Sequence, residues 1–253
     1  MALRKLYIDI ETAPHKAYIW GLKTRYVPLG HVTEDGYILC FAYWWEGDDN
    51  IGFVSRWDHG HEEMIEMAWE LFEEADQVVT FNGKSFDVPM LNTEFLVQRL
   101  GPPSPYFHTD LYQETKQFRT LSSSLKYYLK ILGLENKLEN KGMELWNGVM
   151  SGNKADQKLM EEYNVQDVEI MPEFYDILYP WLKGVPNEGL YMERSESGKL
   201  RCRCGSEKLR FKGYKRTKVL TYKQHLCLDC GSYMRERHTI DKGDNRRPEV
   251  LSW

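Results

Sequence analysis

Asp9 and Glu11 stand two apart in the segment RKLYIDIET, where Leu6, Ile8 and Ile10 alternate with Tyr7, Asp9 and Glu11. Residues two apart on a strand share a face, so the two carboxylates leave one surface about 7 Å apart along the backbone. Like charges gathered on an otherwise apolar strand repel unless a cation lies between them. Hard carboxylate oxygens suit magnesium or manganese. Two further acids have comparable settings. Asp87, in FNGKSFDVPML, follows an apolar strand and opens a helix, where the helix dipole favours negative charge. Asp167, in YNVQDVEIM, lies one helical turn after Tyr163 on the same face. Singly, these read as a strand-edge acid, a first-turn charge and a surface Tyr–Asp pair; their order and contexts point to one site.

Taken together, the segments resemble the DEDD superfamily of 3′–5′ exonucleases in its tyrosine subclass, in particular the proofreading domains of family B DNA polymerases and their stand-alone relatives. Asp9-Ile10-Glu11 followed by Thr12 matches the first motif, Asn82 with Phe86-Asp87 the second, and Tyr163 with Asp167 the third. The resemblance covers residues 1–183 and implies an RNase H-like α/β fold, a mixed central sheet flanked by helices. It implies hydrolysis of phosphodiester bonds at nucleic-acid 3′ ends, DNA favoured, with Asp9, Glu11, Asp87 and Asp167 holding two Mg²⁺ or Mn²⁺ ions. Two such ions, roughly 3.5–4 Å apart, activate a water and stabilise the leaving oxygen. Tyr163 is the fifth catalytic residue; a phenol of pKa near 10 is a poor base at neutral pH, so its implied task is to orient the water. Thr12, Asn82 and Phe86 resemble positions that touch substrate. Core packing is the other reading of Phe86.

A second constellation lies near the C-terminus. CRCG, with Cys202 and Cys204, and CLDCG, with Cys227 and Cys230, form two cysteine pairs 22 residues apart, each followed by glycine. The opening MALRKLYIDIE does not read as a secretory signal, so the pairs are expected to hold metal rather than form disulfides. Four thiolates satisfy one tetrahedral structural zinc, and the segment resembles a zinc ribbon, with one residue between Cys202 and Cys204 where the usual knuckle has two. Between the pairs, LRFKGYKRTKVLTYKQHL alternates basic with aromatic or apolar residues, which predicts a hairpin turning at Gly213-Tyr214. Lys212, Lys215 and Arg216 are candidates for phosphate contact and Tyr214 for base stacking. An acidic protein partner, or docking on the acidic part of the chain, are the other readings.

The charge pattern fits this division. Residues 1–199 hold 19 Lys/Arg against 32 Asp/Glu, a balance of -13, whereas residues 200–240 hold 11 against 3, or +8. With zinc and four thiolates the module keeps about +6.

The elements that must position these residues follow from hydrophobic period. Strands are expected over 4–11, 37–45 and 51–57, the last two joined by the turn EGDDN. A helix over 61–75 and a strand over 77–81 come next, then a helix over 87–100, a strand near 106–110 and a Ser-capped helix in SSSLKYYLKILGL. The last helix begins near Lys154, with Pro172 expected to kink or break it. The expected division is an exonuclease domain over 1–183, a linker over 184–199, a ribbon over 200–240 and a tail over 241–253. His59 and His61 read as a solvated turn rather than a metal pair, Asp110 as a helix N-cap rather than a support of the metal cluster, Trp44 and Trp45 as core or hairpin cover, and Trp146 as either packing or a wall of the substrate channel.

With 253 residues, 42% hydrophobic and 28% charged, the chain has the composition of a globular protein, which excludes wholesale disorder and fibrous repeats. No apolar run reaches the roughly 18 residues of a membrane span, so the expectation is a cytoplasmic protein without membrane contact. The expected partner is nucleic acid with single-stranded 3′ ends, and proofreading would call for a polymerase or other replication or repair partner. Two rivals stand beside this reading: an RNA-processing exonuclease of the same fold, and a non-catalytic nucleic-acid-binding module.

Overall fold

The structure is a computed structural model that describes residues 3–134, 142–193 and 198–241. Contacts divide the chain into two units, Arg4–Phe174 and the residues after Phe174 together with Leu3.

The first unit is built on strand β1 (Lys5–Thr12). Its Leu6, Ile8 and Ile10 are fully or almost fully buried, as the alternation predicts. Two very short strands, β2 (Lys16–Ala17) and β3 (Val32–Glu34), pair antiparallel at the base of a loop that periodicity does not reveal. β4 (Ile38–Trp45) and β5 (Gly52–Ser55) form the expected hairpin. The second strand stops earlier than expected because the Ser55 hydroxyl accepts from Asp58 N and caps a one-turn helix, α1 (Arg56–His59). Helix α2 (His61–Glu74), β6 (Gln77–Thr80), helix α3 (Asp87–Val97), β7 (Phe107–Asp110) and the short helix α4 (Leu111–Thr115) follow. Helix α5 (Leu125–Leu132) is capped by Ser124, and Gly133 ends it in the left-handed conformation at φ 73°. Helices α6 (Met143–Met150) and α7 (Lys154–Leu178) complete the set.

The sheet runs β5-β4-β1-β6-β7. β4 is antiparallel to β1 and β5, while β6 is parallel to β1 and β7. This is the expected mixed sheet flanked by helices. On one face Leu6, Ile8 and Ile10 pack with Met64, Ala68 and Phe72 of α2 and Leu91 and Phe95 of α3. On the other, Cys40 packs with Leu145 and Val149 of α6 and Met160 of α7.

Pro172 does not break α7, which runs on through it as one helix. A buried stripe of Met160, Asn164, Val168, Met171, Phe174, Tyr175 and Leu178 runs along the helix at its natural period. Burying each large apolar side chain contributes roughly 1.5–3 kcal/mol, and several together outweigh the ~3 kcal/mol cost of an interior proline.

In the second unit, β8 (Leu209–Arg216), β9 (Thr221–Cys227) and β10 (Tyr233–Arg235) form an antiparallel sheet in the order β10-β9-β8. The hairpin turns at Thr217–Leu220, closed by Thr217 N donating to Leu220 O, and not at Gly213-Tyr214. Gly213, at φ 87°, instead marks a bulge where the register shifts between Phe211 and Tyr214. Three residues apart on a regular strand, these rings would face opposite ways; the extra residue lets them meet, their centroids 5.6 Å apart. In the expected linker, Asn187 caps a short turn at Glu188–Leu190. Residues 194–197, and the expected tail apart from Asp241, lie outside the described residues.

Candidate active site

β1 presents Asp9 and Glu11 on the face opposite Ile8 and Ile10, and α7 brings Asp167 to them. One carboxylate oxygen from each of the three lies within 4.8 Å of the others. Asp167 is buried, on the same stripe of α7 as Asn164. The Asn164 amide donates to Asp9 Oδ2 at 2.8 Å and to Asp9 O at 3.2 Å, tying the helix to both the side chain and the backbone of the strand. Sequence reasoning missed this residue: one asparagine beside a motif carries no signal until the helix face is known.

Tyr163 lies beside the same acids. Burial, then the charges of Asp167, Glu11 and Asp9, push its phenol well above the ordinary value, so it stays protonated and can donate. Trp146 braces it, the two rings meeting edge to face at 6.5 Å, and the Trp146 indole donates to Thr12 O at 3.0 Å. Thr12 thus lies at the end of β1, fixed through its carbonyl. Cys40, opposite Glu11 on β4, is raised by burial and by Glu11 and Asp9.

Asp87 is not within the three-carboxylate group. β6 pairs with β1 only over Lys5–Tyr7, which leaves the Ile10 amide beyond its reach, and Asp87 Oδ1 accepts from that amide at 3.1 Å. The carboxyl is 3% exposed. Burial raises its pKa to about 7 against the pull of the amides, with Asp110 adding to the rise. Asp110 caps α4 and also accepts from Asn82 N at 2.8 Å and Lys84 N at 3.1 Å, holding the loop before α3. Asn82 takes a left-handed φ of 71° in that loop. Phe86 is 42% exposed, so it is not a core residue. The site joins a carboxylate cluster suited to hard cations with a protonated phenol beside it.

A model of the RNase_H superfamily matches residues 30–179. The chain belongs to the RNase_H superfamily. The match takes in Asp87, Tyr163 and Asp167 and begins after β1, so Asp9 and Glu11 join the superfamily region through the sheet. No curated protein matches significantly. Among solved structures, the family B DNA polymerase from the hyperthermophilic archaeon Pyrobaculum calidifontis is similar, at 19% identity and a TM-score of 0.53 over 70% of this chain. That likeness is one of fold, and it spans 25% of the polymerase chain.

Outside the RNase_H region, the four C-terminal cysteines come together within 4.8 Å. Cys202 Sγ lies 3.6 Å from Cys230 Sγ, and Cys204 Sγ 3.7 Å from Cys227 Sγ. A disulfide needs about 2.05 Å, whereas tetrahedral zinc with bonds of about 2.3 Å spaces its sulfurs about 3.8 Å apart. The short first pair is accommodated by matching turns: Cys202 N donates to Ser206 O and Cys227 N to Ser232 O, with Gly205 and Gly231 at φ 83° and 72°. Burial raises the Cys202 thiol to about 12; at Cys227 burial is outweighed by the amides of Cys230 and Asp229, which hold it at about 7. Lys212, Tyr214, Lys215 and Arg216 are all exposed on β8. Among the described residues, no helix is long and apolar enough to cross a membrane.

Proposed function

We propose that the protein is a metal-dependent 3′–5′ exonuclease acting on phosphodiester bonds at nucleic-acid 3′ ends, with DNA the favoured substrate. The observation that carries this reading is the meeting of Asp9, Glu11 and Asp167 beside a phenol held protonated.

Asp9, Glu11, Asp167 and Asp87 would hold two Mg²⁺ or Mn²⁺ ions, and the chemistry of the donor set fits hard cations. When bound, such ions lower the pKa of a water and stabilise a departing 3′-oxygen. Asp87, whose pKa burial raises to about 7, would be held in its ionised form by a cation beside it. Tyr163 donates a hydrogen bond that orients the attacking water. Asn164 fixes the rotamer of Asp9, while Trp146 holds Tyr163 against the end of β1. Asn82 and the exposed Phe86 take the terminal nucleotide, near Thr12.

The four cysteines are proposed to hold one structural zinc, a role their sulfur spacing fits. The bulged strand β8 offers Tyr214 for stacking and Lys212, Lys215 and Arg216 for phosphates. The proposed division remains an exonuclease domain over 1–183, linker 184–199, ribbon 200–240 and tail 241–253. One similar solved structure is a family B DNA polymerase, and a polymerase is the proposed partner.

The test is digestion of 5′-labelled single- and double-stranded DNA and RNA with Mg²⁺ or Mn²⁺. The expected product is a ladder shortening from the 3′ end, strongest on DNA. Internal cuts, or no cleavage with either ion, would overturn the reading.

A further inference from the structure

The loop between β1 and β3 has no place in the chemistry above, yet it is the most unusual surface of the first unit. Every residue from Pro14 to Tyr26 is exposed. Among them Trp20 is 99%, Tyr18 79% and Tyr26 73% exposed. Large rings held this far out of a fold mark a surface with a partner rather than a packing accident.

The loop is a rooted arm. Ala13 N donates to Tyr37 O and Tyr18 N to His31 O, β2 pairs with β3, and Lys16 bridges to Glu34 at 2.6 Å. The root is the end of β1, so the arm leaves the sheet one residue past Glu11. Seven residues of extended chain span at most about 25 Å, which bounds the distance from Glu11 to Tyr18.

The charge pattern selects the partner. The 22 residues from Thr12 to Thr33 contain no Asp or Glu, the longest such run in the chain, inside a region whose balance is -13. Lys23 and Arg25 sit at the tip, with no ion-pair partner among the described residues. Tyr18, Ile19 and Trp20 line a cleft of about 380 Å³ with Gly30 and His31. Flat exposed rings interleaved with cations are the combination that binds single strands, since every base has a face to stack and every link a phosphate.

We infer that this arm holds the single-stranded segment of nucleic acid leading to the carboxylates: Tyr18, Trp20 and Tyr26 stack on bases, and Lys23 and Arg25 contact phosphates. The assignment rests on the nuclease reading for what happens at the 3′ end, and it adds where the rest of the strand lies.

Two measurements test it separately from that reading. The first is binding of a fluorescent 12-nucleotide oligo(dT) in EDTA, which needs no cleavage. Stacking contributes ~1–3 kcal/mol per base, so Trp20→Ala is expected to raise Kd about tenfold. Lys23→Ala with Arg25→Ala should flatten the log–log salt dependence by about 1.4, or about 0.7 per contact. The second is kcat/KM with Mn²⁺ on a dinucleotide and on the 12-mer, where the loss in Trp20→Ala should deepen with length. Unchanged Kd and salt slope in these variants would overturn the arm, as would a kcat/KM loss equal at both lengths. Normal oligonucleotide binding by the variants with loss of a protein partner would overturn it too. Absence of cleavage by the wild type, with tenfold weaker binding by Trp20→Ala, would sink the nuclease reading and leave the arm standing.

Discussion

Replacing Asn164 by leucine separates fold from site. The side chain is fully buried, donates to Asp9 Oδ2 at 2.8 Å and Asp9 O at 3.2 Å, and buries an Oδ1 that has no hydrogen-bond partner among the described residues. Losing the charge-assisted bond costs ~1.5–3 kcal/mol and the neutral one about 1, while removing an unsatisfied buried acceptor returns ~1–3 kcal/mol. Leucine has a similar volume, so little cavity opens. The net destabilisation is therefore about 0–3 kcal/mol, a fall in Tm of no more than roughly 12 °C for a chain of this size. The effect on the site is not offset. Groups that hold a metal-binding side chain in place are worth roughly 10–100-fold in metal affinity or activity. Asn164→Leu should raise the Mn²⁺ concentration for half-maximal hydrolysis by that factor, with turnover recovering at high Mn²⁺. Thermal unfolding followed by circular dichroism, alongside a Mn²⁺ titration of oligonucleotide cleavage, reads both quantities. A folded variant with the wild-type Mn²⁺ midpoint would refute the reasoning.

Asp9→Ala or Asp167→Ala should lower turnover by several orders of magnitude without unfolding the protein, and Tyr163→Phe should cost less because it removes a donor and no cation ligand; single-turnover cleavage of labelled DNA measures all three. The purified protein should carry close to one zinc per chain, and Cys227→Ser should lose it, as metal analysis by mass spectrometry would show. His108 is lowered to about 4 by burial and by Lys84, although Asp110 opposes, so the unfolded chain takes up its proton first as pH falls. Its neutral-state contribution is present above about 6.5 and is lost toward pH 4, by at most about 3 kcal/mol. Urea midpoints at pH 7.5 and 4.5 should therefore differ less in His108→Gln than in the wild type.

The parts of the fold legible in the sequence are those fixed by local pattern. The alternation around Asp9 gives a strand because one face must be apolar, and Ser124 with Gly133 brackets α5 because both satisfy backbone groups at a helix end. Position-dependent features were not legible. Pro172 is tolerated because of packing that forms only when α7 is docked. The bulge at Gly213 depends on β9, and sequence alone makes the same glycine look like a turn. The arm was not legible either, because β2 and β3 comprise only two and three residues, too few for any period. At the site, the meeting of Asp9, Glu11 and Asp167 was legible from their types and spacing. The attachment of Asp87 to the Ile10 amide and of Asn164 to Asp9 depends on how far β6 and α7 extend along β1.

The tie between Asp9 and Asn164 joins residues 155 apart in the chain, and this has a consequence during synthesis. At about 5–20 residues per second, roughly 8–30 s separate the translation of β1 from that of the helix segment that completes the cluster. Through that interval the emerging chain carries two acids without the third, without Tyr163 and without the amide that fixes Asp9. The three carboxylates meet only when almost all of the first unit is available to fold around them. Their mutual repulsion is thus deferred until the sheet and α7 can bear it, and a ribosome-bound fragment ending before Tyr163 has no assembled site.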